Sequence, residues 1–303
     1  MLLAAIDIGS NAARLLINEV IDGDDGAPEF VKLNLVRVPL RLGFDVFESG
    51  TISETRADML IETLKSYRHL LNAYGVEHFT ACATSAMRDA RNTAEILDRA
   101  RRETGIDVEV VSGEKEAALI YENHIAETFG KSGSYLYIDV GGGSTELTLF
   151  NNGRLQAKRS FDIGTIRLLK GMVGPAKWEE MKEYLKEQTR GLKDIHAIGS
   201  GGNINKVFSL SRRKEGKPLE LEQLRDYHRE LGSISLERRM KLYKLREDRA
   251  DVIVHALSVY INAMRWAGCD EIHVPKIGLA DGLIHHLYDE ITSRSGSSGD
   301  LQA

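Results

Sequence analysis

Two stretches of the chain repeat the same order of apolar and polar positions, Leu3–Ile17 and Tyr135–Leu149. In each stretch an apolar run ends just past an aspartate, two to four small residues follow, and a second apolar run begins. Because small residues adopt the geometry of tight turns, each stretch predicts a β-hairpin. Turns at 22–26 and 151–153 then predict a third strand after each hairpin.

Beyond each hairpin the pattern alternates between helices and strands. Apolar spacing and breaks predict helices at 56–74, from about 85, and at 92–104, 114–129, 178–192, 220–242, 251–267 and 283–292, and strands at 78–83, 108–111, 195–198 and 271–274. Two β-β-β units, each followed by such alternation, predict an α/β protein with duplicated halves that face each other across a cleft.

A polar, glycine-containing segment at 130–134 marks the predicted domain boundary. We therefore expect an N-terminal domain at 1–129 and a C-terminal domain at 130–303. The serine- and glycine-rich composition from about residue 293 predicts a disordered tail.

Composition narrows the class of protein. The chain has 303 residues, of which 42% are hydrophobic and 28% charged, with a formal net charge of −5. This balance indicates folded domains and gives no overall basic field for nucleic acid or an anionic membrane. The longest uncharged stretch, 252–264, is shorter than the ~20 residues of a bilayer crossing. Two distant cysteines form no disulfide framework, so a cytoplasmic protein is expected.

The two hairpin turns are candidate phosphate sites. Successive backbone N–H groups in turns of small residues form concave nests that bind phosphate oxygens. The turns are Gly9, Ser10 and Asn11 in the first half and Gly141, Gly142, Gly143, Ser144 and Thr145 in the second. Either turn alone would be interpreted as a plain hairpin connection. Two matching turns, each preceded by an aspartate, favour phosphate binding.

Those aspartates, Asp7 and Asp139, are candidate metal ligands. A carboxylate beside a phosphate nest suits Mg²⁺, which binds few carboxylates and keeps its waters. The alternative is an aspartate that only stabilises the turn, which remains open for Asp7. At 84–88, Thr84 or Ser85 is predicted to cap a helix whose first turn carries Arg88, a combination that attracts an anion. A purely structural cap is the alternative there.

Glu116 lies in the first turn of a predicted helix at the end of the first half. A carboxylate there can orient and deprotonate a water molecule for attack on phosphorus. An acidic first turn is also a common cap that complements the helix dipole, and from the residues alone that interpretation is favoured.

Together these motifs resemble the exopolyphosphatase/guanosine pentaphosphate phosphohydrolase (Ppx/GppA) family of the actin-like ATPase superfamily. The matches run in family order from Ala5 to about His286. They are Asp7-Ile-Gly-Ser-Asn11 with Arg14, Arg41-Leu-Gly43, Gly50-Thr-Ile-Ser53, Ala83-Thr-Ser-Ala-Met-Arg88-Asp89 with Asn92, Ser112-Gly-Glu-Lys-Glu116-Ala117, Asp139-Val-Gly-Gly-Gly-Ser-Thr-Glu146, Gly199-Ser-Gly-Gly202 and Arg249-Ala-Asp251. Phe161-Asp-Ile-Gly164 stands where family members often have Leu-Pro-Leu-Gly.

The resemblance implies two actin-like (ribonuclease H-like) α/β domains with an interdomain phosphate-binding cleft, in the short two-domain form of the family. It implies release of terminal orthophosphate from polyphosphate or pppGpp with Mg²⁺, or Mn²⁺ in its place. Glu116 would be the general base and, with Asp7 and Asp139, a metal ligand. Glu146 and Asp139 would be the essential catalytic carboxylates that handle metal and water. The predicted phosphate-binding residues are Gly9, Ser10, Asn11, Arg14, Thr84, Ser85, Arg88, Gly141, Gly142, Gly143, Ser144 and Thr145.

The same resemblance assigns a nucleotide or polyphosphate-chain contact to the motif Gly199, Ser200, Gly201 and Gly202. Homodimers are known in the family, so a homodimer is expected; neither nucleic acid nor membrane is an expected partner. Two other classes of function stay open. One is a kinase of the same fold, which would form ADP in the presence of an acceptor. The other is a sensor that binds polyphosphate or an alarmone without releasing orthophosphate.

Overall fold

The computed structural model describes residues 1–23, 26–113, 115–116, 133–275 and 278–297. The chain divides into two compact units, one formed by Met1–His124 with Gly278–Ala303 and the other by Ile125–Ile277. We call them the first and second unit. Each is built on one mixed β-sheet.

The sheet of the first unit has the strand order β3-β2-β1-β4-β5. Its strands are β1 (Leu2–Ile8), β2 (Ala13–Asp22), β3 (Pro28–Val38), β4 (His78–Ala83) and β5 (Glu109–Val110). The first three pair antiparallel, and β4 and β5 add in parallel on the other side of β1. Strand β1 lies at the centre, which is why Leu3 to Ile6 are fully buried.

Helices connect these strands at α1 (Leu42–Ser49), α2 (Glu54–Tyr74), α3 (Ser85–Asp89) and α4 (Thr93–Thr104). Helix α2 begins where the Ser53 hydroxyl accepts the Arg56 amide, and it ends at Gly75, whose φ of 66° suits a residue without a side chain. Its buried face includes Tyr67, whose hydroxyl donates to the Ala13 carbonyl at 3.1 Å.

The sheet of the second unit has the order β10-β11-β9-β6-β7-β8. Its strands are β6 (Ser134–Val140), β7 (Thr145–Asn151), β8 (Arg154–Phe161), β9 (Ile195–Ser200), β10 (Leu219–Glu220) and β11 (Glu271–His273). Its helices are α5 (Thr165–Leu169), α6 (Pro175–Gln188), α7 (Gly202–Ser211), α8 (Leu221–Gly232), α9 (Leu236–Tyr243), α10 (Glu247–Ala250) and α11 (Ile253–Ala267). Helix α11 is the most buried of these and packs against α8, α6 and β6.

The internal repeat predicted from the sequence is confirmed. Both units contain a β-β-β meander whose first strand pairs in parallel with a later strand, β4 or β9. The two hairpins close with the same hydrogen bond, from Gly9 N–H to the Ala12 carbonyl at 3.0 Å and from Gly141 N–H to the Ser144 carbonyl at 2.9 Å. Residues 7–14 therefore correspond one by one to residues 139–146.

The last helix corrects the predicted domain division. Helix α12 (Leu279–Ser297) packs on β1, β2 and β4 and so belongs to the first unit, whereas the prediction placed it in a C-terminal domain at 130–303. Ile284 is fully buried there, and the His285 ring stacks on Phe30 of β3 with centroids 3.8 Å apart. The prediction failed because helix periodicity reports that a face is buried without saying against which sheet.

Two further predicted segments can be compared with the structure. The charged helical region predicted at 220–242 consists of two helices, α8 and α9. The tail predicted as disordered from about 293 is helical as far as Ser297, and residues 298–303 lie outside the described residues. Most of the helix predicted at 114–129, and the boundary at 129/130, also lie outside them. Within the described residues, no helix combines the length and apolar character that a bilayer crossing demands.

The place of α12 predicts a stability difference. Ile284→Ala removes a fully buried side chain and should lower the free energy of unfolding by about 2–4 kcal/mol. Leu242→Ala removes a side chain that is 59% exposed and should change it by less than about 0.5 kcal/mol. Urea titration followed by circular dichroism measures both. Equal losses in the two variants would contradict the packing of α12 described here.

Candidate active site

The turn of the first unit is held from one side by the start of α1. The Gly43 amide donates to the Ser10 carbonyl at 2.9 Å, and the Arg41 amide donates to the Asn11 carbonyl at 3.0 Å. In a planar trans peptide the N–H points opposite to the C=O. The amides of Asn11 and Ala12 therefore point away from α1, as a phosphate nest requires.

Ser10 connects this turn to the segment predicted to bind an anion. Its hydroxyl and that of Ser85 lie 2.7 Å apart, and both residues are buried. Thr84 occupies the predicted N-cap position of α3, although its side chain makes no capping bond, and the Ser85 hydroxyl bonds to Ser10. The Arg88 guanidinium donates to the Val111 carbonyl at 2.9 Å. These residues lie together at one edge of the sheet.

Asp7 is 3% exposed and forms a 2.7 Å ion pair with Arg14, its partner across the β1–β2 hairpin. A predicted metal ligand and a predicted phosphate ligand therefore contact each other. The guanidinium compensates the charge of the buried carboxylate, which would otherwise be costly to desolvate.

Glu116 lies in a helical turn in which its amide donates to the Ser112 carbonyl at 2.9 Å. Its position at the Asp7 edge of the sheet is reflected in Cys82 of β4, which pairs in register with Asp7. Burial raises the pKa of the Cys82 thiol well above its usual value, and the negative charges of Asp7 and Glu116 raise it further. Within the first unit, the charges of Glu116 and Asp7 thus act on the same buried thiol.

The glycine turn of the second unit is held by the start of α5. The Thr165 amide donates to the Gly141 carbonyl at 3.0 Å, and the Ile166 amide donates to the Gly142 carbonyl at 2.8 Å. The Arg167 side chain adds a third bond, from Nε to the Gly143 carbonyl at 2.8 Å. The three carbonyls face α5, so the amides of residues 142, 143 and 144 point the other way.

This approach requires Gly164. A Cβ at that position would lie 2.3 Å from the Gly142 carbonyl oxygen, which is backbone and has no rotamer by which to move aside. The adjoining Thr145 is fully buried, and its hydroxyl donates to the Ile163 carbonyl at 2.5 Å. Thr145 therefore supports the turn from behind, whereas the sequence predicted that it binds phosphate.

Two carboxylates stand beside this turn. Asp139 and Glu146 are opposite each other across the β6–β7 hairpin, and their carboxylate oxygens lie within 4.8 Å. Glu146 is 3% exposed, and its Oε1 accepts the Ser144 hydroxyl at 2.6 Å and the Ser160 hydroxyl at 2.9 Å. Two hydroxyl donors fix the direction of this carboxylate. Ser160 has no place in the sequence motifs, and only the β7–β8 register brings it here.

The predicted motif Gly199–Gly202 lies next to Asp139. Ser200 ends β9 in register with Asp139, and Gly201 has a φ of 110°, which disfavours a side chain. A Cβ on Gly201 would lie 3.2 Å from Asp139 Oδ1 and 3.3 Å from the Tyr260 hydroxyl. Gly199 instead makes room for Ile272, and Gly202 begins α7.

Tyr260 of α11 was not predicted as part of the site. Its buried hydroxyl donates to the Ser200 carbonyl. Burial raises its pKa well above the usual value, and the negative charge of Asp139 raises it further, so the hydroxyl stays protonated. A long buried helix gives no sequence signal that one of its tyrosines supports a polar site.

The two hairpins carry opposite charges at equivalent positions. In the first unit Asp7 faces Arg14, whereas in the second Asp139 faces Glu146. Two carboxylates this close repel each other unless a cation or a proton lies between them. Hard oxygen donors in this arrangement fit Mg²⁺ or Mn²⁺. The family resemblance predicted Glu146, with Asp139, as an essential carboxylate that handles metal and water.

Fold and geometry thus define the class of protein, an α/β protein with two units, each of which presents a hairpin turn with oriented backbone amides. The comparisons then identify the family. The family model of the Ppx/GppA phosphatase family matches residues 20–291. The chain is also 32% identical to exopolyphosphatase 1 of Mycobacterium bovis, over 95% of this chain and 89% of that protein. This chain belongs to the Ppx/GppA phosphatase family.

Other relatives are longer than this chain. The guanosine-5'-triphosphate,3'-diphosphate pyrophosphatase of Vibrio vulnificus is 26% identical, over 100% of this chain and 63% of that protein. The chain spans only 34% of the bifunctional 3-dehydroquinate synthase/phosphatase of Fusobacterium nucleatum, at 30% identity over 70% of this chain.

Solved structures agree with the fold. An exopolyphosphatase from Cytophaga hutchinsonii superposes with a TM-score of 0.81 at 25% identity, and the match covers 96% of this chain and 98% of that one. The Ppx/GppA family member of Aquifex aeolicus superposes with a TM-score of 0.73 at 27% identity, with the same coverage. The predicted pair of actin-like α/β domains is confirmed.

The contact at Gly164 predicts an unusually sensitive glycine. Gly164→Ala should lower the free energy of unfolding by about 1–3 kcal/mol, because backbone must shift to admit the methyl group. Gly232→Ala is the matched control, since its Cβ would lie 3.8 Å from the nearest atom, Val254 Cγ1. It should be neutral or slightly stabilising. Thermal denaturation compares them, and a Gly164→Ala protein as stable as the control would refute the close approach.

Proposed function

We propose that this protein is an exopolyphosphatase, which releases terminal orthophosphate from inorganic polyphosphate by in-line attack of water. One observation carries the proposal beyond family membership. The oriented amides of the glycine turn lie beside the carboxylate pair Asp139 and Glu146. The relative exopolyphosphatase 1, which matches nearly the full length of this chain, supports the choice of substrate.

The proposed phosphate ligands are the turn amides with the hydroxyl and guanidinium groups near them. Phosphoryl transfer builds negative charge on the equatorial oxygens of the transferred group. Fixed N–H donors stabilise that charge without reorganising during the reaction. The two turns, with Ser10, Ser85 and Arg88 of the first unit, are the donors proposed for this task. Arg14 keeps its proposed phosphate role alongside its ion pair with Asp7.

The carboxylates Asp139 and Glu146, with Asp7 and Glu116, are proposed to hold Mg²⁺. When bound, the ion would neutralise phosphate charge and help align substrate and water. Ser144 and Ser160 orient the Glu146 carboxylate through their hydroxyl groups. Tyr260, a neutral donor to the Ser200 carbonyl, supports the backbone next to Asp139.

Glu116 is the proposed general base that takes a proton from the attacking water. A carboxylate performs this task when it lies within hydrogen-bond reach of the water. The helical turn that carries Glu116 begins just after β5, at the edge of the sheet that also carries Asp7 and Ser10. The cap interpretation of Glu116 is set aside because the family motif includes this glutamate.

A second candidate substrate is pppGpp. The relatives named guanosine-5'-triphosphate,3'-diphosphate pyrophosphatase favour it, although the chain spans only 63% of the Vibrio vulnificus protein. In this proposal, Gly199–Gly202 at the end of β9 contacts the nucleotide or the polyphosphate chain. A cytoplasmic location and a homodimer are proposed from the family resemblance.

Substitution of the base separates hydrolysis from binding. Glu116→Gln should reduce orthophosphate release by at least about 100-fold, since general base catalysis typically contributes 10²–10⁴-fold. Binding of tripolyphosphate, measured by calorimetry, should persist. The control is Glu109→Gln, an exposed residue that pairs with Lys115, and it should retain wild-type release. Wild-type protein that binds tripolyphosphate and releases no phosphate would be a sensor.

A substrate panel separates the two hydrolase candidates. With Mg²⁺ present, release from long polyphosphate and tripolyphosphate should exceed release from pppGpp, and a chelator should abolish it until Mg²⁺ is restored. Orthophosphate is measured colorimetrically for all three substrates side by side. A preference for pppGpp would select the second candidate. ADP formed from ATP only when an acceptor is present would identify a kinase.

A further inference from the structure

The start of α5 supplies three donors to three successive carbonyls of the glycine turn, and only one of them is a side chain. That donor is Arg167 Nε, which bonds to the Gly143 carbonyl at 2.8 Å. We propose that Arg167 is a positioning residue of the phosphate site, whose Nε–H fixes the Gly143–Ser144 peptide so that the Ser144 amide faces bound phosphate. The inference rests on the proposed phosphate role of the turn.

The first two peptides of the turn are already held by backbone. Bonds from the Thr165 and Ile166 amides fix the carbonyls of Gly141 and Gly142. The third peptide receives its bond from Arg167. Glycine visits conformations that other residues avoid, and rotation of the Gly143–Ser144 peptide would turn the Ser144 amide away from phosphate. The Arg167 bond is therefore the contact that keeps the third amide in line with the other two.

The first unit holds the equivalent peptide by a backbone donor. There the Gly43 and Arg41 amides donate to the carbonyls of Ser10 and Asn11, which correspond to Gly142 and Gly143. In the second unit the Arg167 side chain takes the place of the Arg41 amide and donates to the Gly143 carbonyl. The sequence gives no hint of this, since Arg167 lies 24 positions beyond Gly143.

The Arg167 guanidinium contacts the glycine turn more closely than it contacts Asp162. The Arg167 side chain is 18% exposed, and its Nη2 lies 3.9 Å from Asp162 Oδ1. Asp162 is 63% exposed, and so long an ion pair at the surface contributes little. The competing explanation is that Arg167 acts by its charge, through direct contact with phosphate.

Three substitutions of Arg167 distinguish a role in positioning the turn from a role of its charge. Gln has its amide nitrogen where arginine has Nε, so Arg167→Gln keeps the donor and removes the charge. Arg167→Lys keeps the charge and has a methylene at the Nε position, with its nitrogen one atom further on. Arg167→Met removes both the donor and the charge. Asp162→Asn, which leaves the donor and the turn intact, is the control.

The measurement is calorimetric binding of tripolyphosphate, with Mg²⁺, to full-length proteins that also carry Glu116→Gln. Arg167→Gln and Asp162→Asn should keep the dissociation constant within about threefold. Arg167→Lys and Arg167→Met should raise the dissociation constant about tenfold. A tenfold change corresponds to about 1.4 kcal/mol, which is the free energy that one hydrogen bond contributes. In proteins that retain Glu116, kcat/KM for orthophosphate release should follow the same order. Thermal midpoints identify any variant that is not folded. The comparison of Arg167→Gln with Arg167→Lys is sufficient to distinguish a positioning role from a role of the charge.

If Arg167→Lys binds tripolyphosphate tightly and Arg167→Gln binds it weakly, the inference is wrong. Arg167 would then act through direct contact between its charge and phosphate. Unchanged binding in all variants would also overturn the inference. The proposed function fails separately, because a wild-type protein that binds tripolyphosphate without releasing orthophosphate leaves the order of affinities intact. A Glu116→Gln protein that binds no tripolyphosphate would overturn the phosphate site and the role of Arg167 together.

Discussion

The hydrogen bonds that hold the carbonyls of the two hairpin turns determine what those turns can bind. In both units the start of a helix takes the carbonyl side, through Arg41 and Gly43 in the first and Thr165 and Ile166 in the second. Because each peptide is planar and trans, the N–H groups of the turn then point to its opposite face. A loop of small residues with free torsions would lose conformational entropy on binding an anion, whereas these turns have lost it during folding.

The protein contains two copies of this frame, and single positions make the copies chemically different. Where Arg14 neutralises Asp7, the equivalent Glu146 adds a second negative charge beside Asp139. The first turn thus carries a compensated carboxylate. The second carries two carboxylates that repel each other unless a cation or a proton lies between them.

The rest of the second unit supports this polar site with apolar packing. Tyr260 projects its hydroxyl to the Ser200 carbonyl from a helix whose other buried residues form the core. Gly164 and Gly201 allow backbone to approach the turn and Asp139 more closely than any side chain would permit. The buried Tyr260 hydroxyl and the buried Glu146 carboxylate are both hydrogen-bonded, as buried polar groups usually are.

The sequence by itself determined the repeat, the two turns with their aspartates, most strands and helices, and the family motif that includes Glu116. All of these depend on neighbouring residues, because hairpins, caps and apolar periodicity are local patterns. Tertiary structure alone decided that α12 returns to the first sheet, that Ser160 and Tyr260 support the carboxylates, and that Arg167 holds the glycine turn. Each of these contacts joins residues 14 to about 280 positions apart, and their pairing follows from strand register and packing, which leave no local trace in the chain.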